Sequence, residues 1–227
     1  MKTIQIYGER CSGTNYLEEL CKANFPNVEV TNSKYGFKHW LIDHPANCHF
    51  ESNDDTIYIV IFRNPYDWIR SFWKTPHHAQ LHYPLTFNQF IRKEWHSFDN
   101  PNYEIRQNIK ELYFERDYDM TPFRNILKLR NAKNRSFLSL TEKVQNHYFI
   151  PYELLKSQTK AVLLDISKHF NLELTNEFHQ INHYVGKAKD RRINKPLGNI
   201  SIVDLEFIDN ELDWTIENRL GYFSIKK

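Results

Sequence analysis

Two short stretches of this chain carry residue types whose spacing could bind an anion. The first is Gly8-Glu9-Arg10-Cys11-Ser12-Gly13-Thr14-Asn15, with glycines spaced as in the phosphate-binding loop G-x-x-x-x-G-K-[ST]. A glycine at position 13 lets backbone N–H groups close around an anion, and a helix starting just after it adds partial positive charge. The slots that a nucleotide hydrolase fills with Lys and Ser/Thr hold Thr14 and Asn15. Those residues serve the β/γ-phosphates and Mg²⁺, so their loss speaks against ATP hydrolysis or an ordinary kinase. Taken alone, the stretch also fits a simple tight turn. The second is Arg63-Asn64-Pro65-Tyr66-Asp67-Trp68-Ile69-Arg70-Ser71, which follows an apolar run. Arg63 would sit at the carboxyl end of a buried strand, where ligands bind in open α/β sheets. Its planar fork and the Ser71 hydroxyl are suited to converge on one phosphate. The alternative is a structural arginine capping the sheet end and a serine on a helix surface.

Other clusters carry less. His78 and His82 have the i, i+4 spacing of a metal pair, with His77 beside them, but no H-E-x-x-H pattern and no third ligand accompanies them. Pro76 and Pro84 disfavour a helix there, so a substrate-side loop is expected rather than a metal site. Cys11, Cys21 and Cys48 are odd in number and lack metal spacing, so neither a disulfide framework nor a zinc site is expected. The basic run Lys187–Lys195 has the composition of a solvated loop.

The elements that must position these residues follow from periodicity. Thr3–Tyr7 is predicted as a strand, Gly8–Gly13 as a turn, and Thr14–Asn24 as a helix with Leu17, Leu20 and Cys21 on one face. Thr56–Phe62 is an unbroken apolar strand, as expected for a parallel sheet covered on both faces. Pro65 begins a helix with Trp68, Ile69, Phe72 and Trp73 as its stripe, and Thr86 caps another that carries Phe87, Phe90, Ile91 and Trp95. Thr121-Pro122 is expected to open a helix, His147–Pro151 a strand, and Val162, Ile166 and Phe170 mark a further helix. Leu205, Ile208, Leu212, Ile216 and Leu220 predict one long amphipathic helix closed by Gly221. Alternating strands and helices give an α/β fold around a central, mostly parallel sheet flanked by helices. No repeat or linker divides residues 1–227, so a single domain is expected.

Composition sets outer bounds. The formal net charge of +2 excludes a histone-like or acidic-tail protein and disfavours a general nucleic-acid coat. Mean hydropathy is −0.67, and the longest apolar run, Ile57–Phe62, is far shorter than the ~18 residues of a membrane span. With no signal-peptide pattern at its start, the chain is expected in the reducing cytoplasm. The sequons at Asn134 and Asn199 are therefore read as chance matches.

The two motifs resemble those of sulfotransferases that use 3′-phosphoadenosine 5′-phosphosulfate (PAPS). Cys11-Ser12-Gly13-Thr14-Asn15-Tyr16-Leu17 is similar to the family's phosphosulfate loop, x-x-[KR]-S-G-T-[TS]-x-L. Arg63, Asn64, Pro65, Asp67 and Ser71 match R-N-P-x-D-x-x-x-S, and Ile150-Pro151-Tyr152-Glu153-Leu154-Leu155 resembles a strand running into Y-E-x-L. Leu220-Gly221-Tyr222 looks like the family's C-terminal tail. The matches lie in family order and span most of the chain. They imply a P-loop NTPase-like three-layer fold and transfer of a sulfuryl group by in-line displacement, with 3′,5′-ADP as product and no metal.

By this resemblance Cys11, Ser12, Gly13, Thr14 and Asn15 would form the phosphosulfate cradle, Arg63 and Ser71 would bind the 3′-phosphate, and Tyr152 would lie by the adenine. One departure stands out: the Lys or Arg that many members carry just before Ser-Gly-Thr is Cys11 here. The cation needed on the leaving oxygen would then come from Arg10, with Lys38 second. A base is also required, and His39 is expected to take the acceptor proton, with Glu9, Asp43 and His44 behind it. The acceptor, a hydroxyl or amine, would lie against Lys34–His49 and Lys74–Trp95, whose aromatic and polar residues suit a carbohydrate or glycoconjugate. Nucleic acid is not expected as a partner. A P-loop small-molecule kinase and a non-catalytic nucleotide-binding module are the two alternatives.

Overall fold

In the computed structural model, the chain is described over residues 1–44, 54–76, 78–79, 85–99, 110–183, 185 and 199–225. Strand β1 (Lys2–Gly8) runs through a short loop into α1 (Thr14–Asn24), and β2 (Val28–Thr31) follows. Next come β3 (Thr56–Phe62), α2 (Pro65–Lys74) and α3 (Phe87–Arg92), then a small antiparallel pair, β4 (Phe98–Asp99) and β5 (Lys110–Glu111). The C-terminal half contains α4 (Ile126–Leu138), α5 (Leu140–Lys143), β6 (His147–Pro151), α6 (Tyr152–Ser157), α7 (Thr159–Phe170), α8 (Ile202–Glu211) and α9 (Trp214–Arg219).

The main sheet has the order β2-β1-β3-β6, and all of its pairs are parallel. Strand β3 is buried along its whole length, which explains its lack of polar alternation. Its Ile57, Ile59 and Ile61 pack with Leu17, Leu20, Leu155 and Ile166 from α1, α6 and α7. Tyr58, Val60 and Phe62 point the other way, onto Phe137 of α4 and Leu140 of α5. Helices thus cover both faces of the sheet. A third cluster, built around Trp68, Phe72, Phe90, Trp95, Ile126 and Ile208, ties α2, α3, α4 and α8 together.

Most predicted elements appear where periodicity placed them, and Thr86 caps α3 as expected, in a capping box with Gln89. Three differ. Helix α3 ends at Arg92, so Trp95 lies outside it, bridged to Phe123. The helix expected from Thr121-Pro122 starts only at Ile126, because Asn125 is the cap: its side chain accepts from Leu127 N and Lys128 N, both at 3.0 Å. The single long C-terminal helix is two helices. Leu212 is extended (ψ 144°), and Asp213 caps α9 by accepting from Thr215 N and Ile216 N. Gly221, at φ 83°, ends α9 as expected, with Tyr222 N donating to Glu217 O and Gly221 N to Asn218 O. Strand β2 was not anticipated, since its four half-exposed residues at the sheet edge carry little pattern.

Candidate anion-binding site

The chain reverses its sheet order on the two sides of β1, and the loops leaving β1, β3 and β6 meet at their carboxyl ends. The loop Glu9–Gly13 is shaped by its backbone. Gly13 lies at φ 96° and caps α1 without a side chain, and Cys11 is also left-handed at φ 61°. A Cβ on Gly8 would fall 2.5 Å from Ile61 O, and one on Gly13 would fall 2.5 Å from Cδ2 of Tyr152. Both glycines are therefore required by close approach as well as by dihedral. Ser12 is fully buried, and its Oγ has no hydrogen-bond partner among the described residues.

Arg63, Ser71 and Tyr152 gather on one side of this loop. The Arg63 guanidinium lies 4.7 Å from the Tyr152 ring centroid, and its Nη1 donates to Cys11 O at 2.7 Å. Its Nε is buried with no partner among the described residues. The Cys11 thiol is pushed up to about 11 by burial, against the opposing pull of Arg63 and of a hydrogen bond with Ser71, so it stays protonated. Cys11 thus contributes its carbonyl to Arg63, and its Sγ lies 3.9 Å from Thr75 O at the end of α2, the helix that carries Ser71.

Lys38 and His39 hold the other side. Lys38 Nζ donates to Asn15 Oδ1 at 2.5 Å in the first turn of α1 and lies 3.6 Å from Glu18 Oε2. Gly8 N donates to Lys38 O at 3.0 Å, while His39 Nδ1 lies 2.6 Å from Gly8 O. A carbonyl only accepts, so Nδ1 carries the proton and Nε2 keeps its lone pair. Burial, then the charges of Arg10 and Lys38, hold His39 well below the usual histidine range, so it is neutral at physiological pH. Phe37 stands edge-on to both His39 (5.1 Å) and Trp40 (5.9 Å).

Arg10 is placed differently from the expectation that it supplies the cation. It is 2% exposed, and its Nη1 and Nη2 donate to the two oxygens of Glu115 at 2.7 and 2.6 Å. Lys133 joins the same carboxylate and lies 3.4 Å from Glu9 Oε2. Burial disfavours the charged form of Glu115, but Arg10 and Lys133 outweigh it and hold the carboxyl well below the usual range. The loop's own arginine therefore anchors the loop downward, and the cation beside the start of α1 is Lys38. Beneath Arg63 a second buried pair joins Arg130 to Glu217. Sequence reading missed Glu115, Arg130, Lys133 and Glu217. Their signal was the i, i+3, i+4 spacing of Arg130, Lys133 and Asn134, a basic helix face that resembles an exposed one.

The remaining candidates are engaged elsewhere or not described. Asp43 accepts from Tyr118 OH at 2.8 Å, and His44 Nε2 lies 3.3 Å from Asp117 O. His78 donates from Nδ1 to Phe98 O at 2.9 Å. His77, His82, Cys48 and the basic run Lys187–Lys195 lie outside the described residues, as do parts of the expected acceptor segments. Asn134 of the first sequon is fully buried in α4. Among the described residues no group of three metal-ligating side chains occurs, and no helix is long and apolar enough to cross a membrane. No protein-family model, no curated protein and no solved structure matches this chain.

Proposed function

We propose that this chain is a sulfotransferase with a P-loop NTPase-like fold, passing the sulfuryl group of PAPS to a hydroxyl or amine acceptor. The observation that carries the reading is two buried polar atoms without a partner among the described residues, Ser12 Oγ on the loop after β1 and Arg63 Nε on the segment after β3 that is tied to it through Cys11 O. Gly13, next to Ser12, leaves no room for a side chain. Leaving such an atom unpaired costs about 1–3 kcal/mol, and the oxygens of a phosphate or sulfonate would pair both. The residues therefore fit an anion-bearing nucleotide. When bound, PAPS supplies an activated sulfuryl group and a 3′-phosphate that ATP lacks.

Each residue then has a role. Backbone amides of Gly13, Thr14 and Asn15, at the positive end of α1, together with the Ser12 hydroxyl, hold the 5′-phosphosulfate, while the Ser12 amide closes the loop on Glu9 O. Lys38, fixed on Asn15, neutralises negative charge at that end in place of the cation missing at Cys11. Arg63 and Ser71 read the 3′-phosphate, and Tyr152 lies beside the adenine. His39 accepts the acceptor proton at Nε2, since Nδ1–H is committed to Gly8. The aromatic rings of Phe37 and Trp40 in the segment of His39 suit packing against the face of a sugar, so a carbohydrate or glycoconjugate acceptor is proposed.

Calorimetric titration with 3′,5′-ADP, 5′-AMP and Mg·ATP, on wild type and Arg63→Ala, tests this reading. Binding of 3′,5′-ADP in preference to the other two, lost in the variant, is expected. Preference for Mg·ATP, or indifference to the 3′-phosphate, would refute it and favour a kinase. Binding of 3′,5′-ADP without sulfate transfer to any acceptor would favour a non-catalytic module.

A further inference from the structure

The peptide unit between Arg63 and Asn64 belongs to neither β3, which ends at Phe62, nor α2, which begins at Pro65. Both of its polar ends are nevertheless held. The carbonyl of Arg63 accepts from Arg130 Nη2 at 2.9 Å. The N–H of Asn64 donates to Glu153 Oε1 at 2.9 Å. Behind each holder stands a residue from the end of the chain. Arg130 is 1% exposed and is fixed by Glu217 of α9 through Nε at 2.7 Å and Nη2 at 2.9 Å, with its guanidinium 4.7 Å from the Trp68 ring centroid. Glu153 accepts from Tyr222 OH at 3.0 Å through its second oxygen.

A buried ion pair contributes little net stability compared with apolar residues of the same size, because both charges must be desolvated. What the Arg130–Glu217 pair does supply is one directed hydrogen bond leaving it, onto the Arg63 carbonyl. Fixing that peptide plane fixes the backbone dihedrals on either side of it. The direction in which Arg63 leaves its Cα is then set from below.

We propose that Arg130 and Tyr222 are positioning residues that clamp the Arg63–Asn64 peptide plane and so set selectivity for a 3′-phosphorylated nucleotide. This rests on the PAPS reading of the same site and adds where its selectivity is set: in α4 and the C-terminal segment, behind Arg63.

The test measures the ratio of affinities for 3′,5′-ADP and 5′-AMP, which differ only in the 3′-phosphate. General destabilisation weakens both ligands together and leaves the ratio unchanged. Arg130→Lys cannot hold Glu217 with two bonds and the carbonyl with a third, and it is expected to lower the ratio about tenfold. Tyr222→Phe loses one partly exposed hydrogen bond and is expected to lower it about threefold. Arg63→Ala sets the floor, and circular dichroism with urea melts checks that each variant is folded. If Arg130→Lys does not fold, Tyr222→Phe decides. A wild-type ratio kept by the folded variants while Arg63→Ala loses it would overturn the clamp and leave the cofactor reading standing. A wild type without any preference would remove the cofactor reading and the clamp with it.

Discussion

Replacing Gly13 by alanine puts a methyl group where the protein holds an aromatic ring. The new Cβ would lie 2.5 Å from Cδ2 and 2.8 Å from Cε2 of Tyr152, with the backbone at φ 96°. The left-handed conformation costs an alanine about 1–2 kcal/mol. Displacing a packed ring adds about 1–3 kcal/mol. The sum, about 2–5 kcal/mol, corresponds to a Tm lowered by about 5–15 °C in a domain of this size. The ring cannot move alone, because Arg63 stacks on its face at 4.7 Å. Binding of 3′,5′-ADP is therefore expected to fail together with stability. The two contributions separate when Gly13→Ala is also made in a Tyr152→Ala background, where the ring clash is gone, the methyl group meets only the movable end of Ile61 at 3.3 Å, and the backbone cost of about 1–2 kcal/mol dominates. Thermal and urea melts of the four proteins give the coupling directly. Equal losses in both backgrounds would mean that Tyr152 does not pack on Gly13, and its proposed place beside the loop and the adenine would fall.

Further perturbations address the two sides of the loop. His39→Gln is expected to lower kcat by about 10²–10⁴-fold with little change in 3′,5′-ADP affinity. Because the native imidazole resists protonation while the unfolded one titrates near its ordinary value of 6.5, native stability is full above that pH and declines as pH falls through it. Urea midpoints at about pH 5 and about pH 7.5 should therefore converge in the variant; an undiminished slope would deny that His39 is buried neutral. Lys38→Met should lower kcat by about 10²–10³-fold while keeping the preference for 3′,5′-ADP over 5′-AMP, and unchanged turnover would return the search for the cation to other residues. Glu115→Gln leaves Arg10 and Lys133 buried without a full countercharge and is expected to cost about 3–5 kcal/mol in a urea melt, most of it recovered when Arg10→Met is added. Cys11, with its thiol pushed up to about 11, should react with iodoacetamide at about pH 8 far more slowly than a free cysteine, and fast labelling would contradict that raised value.

How much of this was legible in the sequence depends on how far the deciding contact lies along the chain. Strand β3 and helix α1 were legible because apolar run length and i, i+3, i+4 spacing are local properties, and burial of Ile57–Phe62 on both faces agrees with them. The glycine spacing was legible for the same reason. The direction of Arg10 was not. It is decided by Glu115, 105 residues away, on a turn whose own sequence gives no sign of facing the loop. The basic face of α4 was equally opaque, since Arg130 and Lys133 look like surface residues until Glu217, Glu115 and Glu9 are brought against them. The break between α8 and α9 was hidden because Leu212 and Ile216 keep the helical stripe across it, while the stop comes from Asp213 taking the cap.

The displaced cation has a structural logic of its own. Arg10 occupies the loop but spends its charge on Glu115, and Trp68 Nε1 donates to the Arg10 carbonyl at 2.8 Å, so both ends of the residue are fixed inward. Under the proposed function the cation for the ligand comes instead from a neighbouring segment, where Lys38, bonded to Asn15 and 3.6 Å from Glu18, stands at the start of α1. Gly8, the last residue of β1, uses its N–H on Lys38 O and its carbonyl on His39 Nδ1. Tyr35 N on Gln5 Oε1 and Tyr7 OH on Tyr35 O suspend the same segment from β1. Under the proposed function, the groups assigned to the leaving oxygen and to the acceptor proton are thus consecutive residues held on the strand that launches the cradle. Movement of that strand would carry cation and base together and preserve their spacing. A loop that carries Cys11 ahead of Ser12 relies, under the proposed function, on this attachment to keep cation and base in place. Loosening it by Gln5→Ala, with Lys38 and His39 intact, should therefore lower turnover more than cofactor affinity.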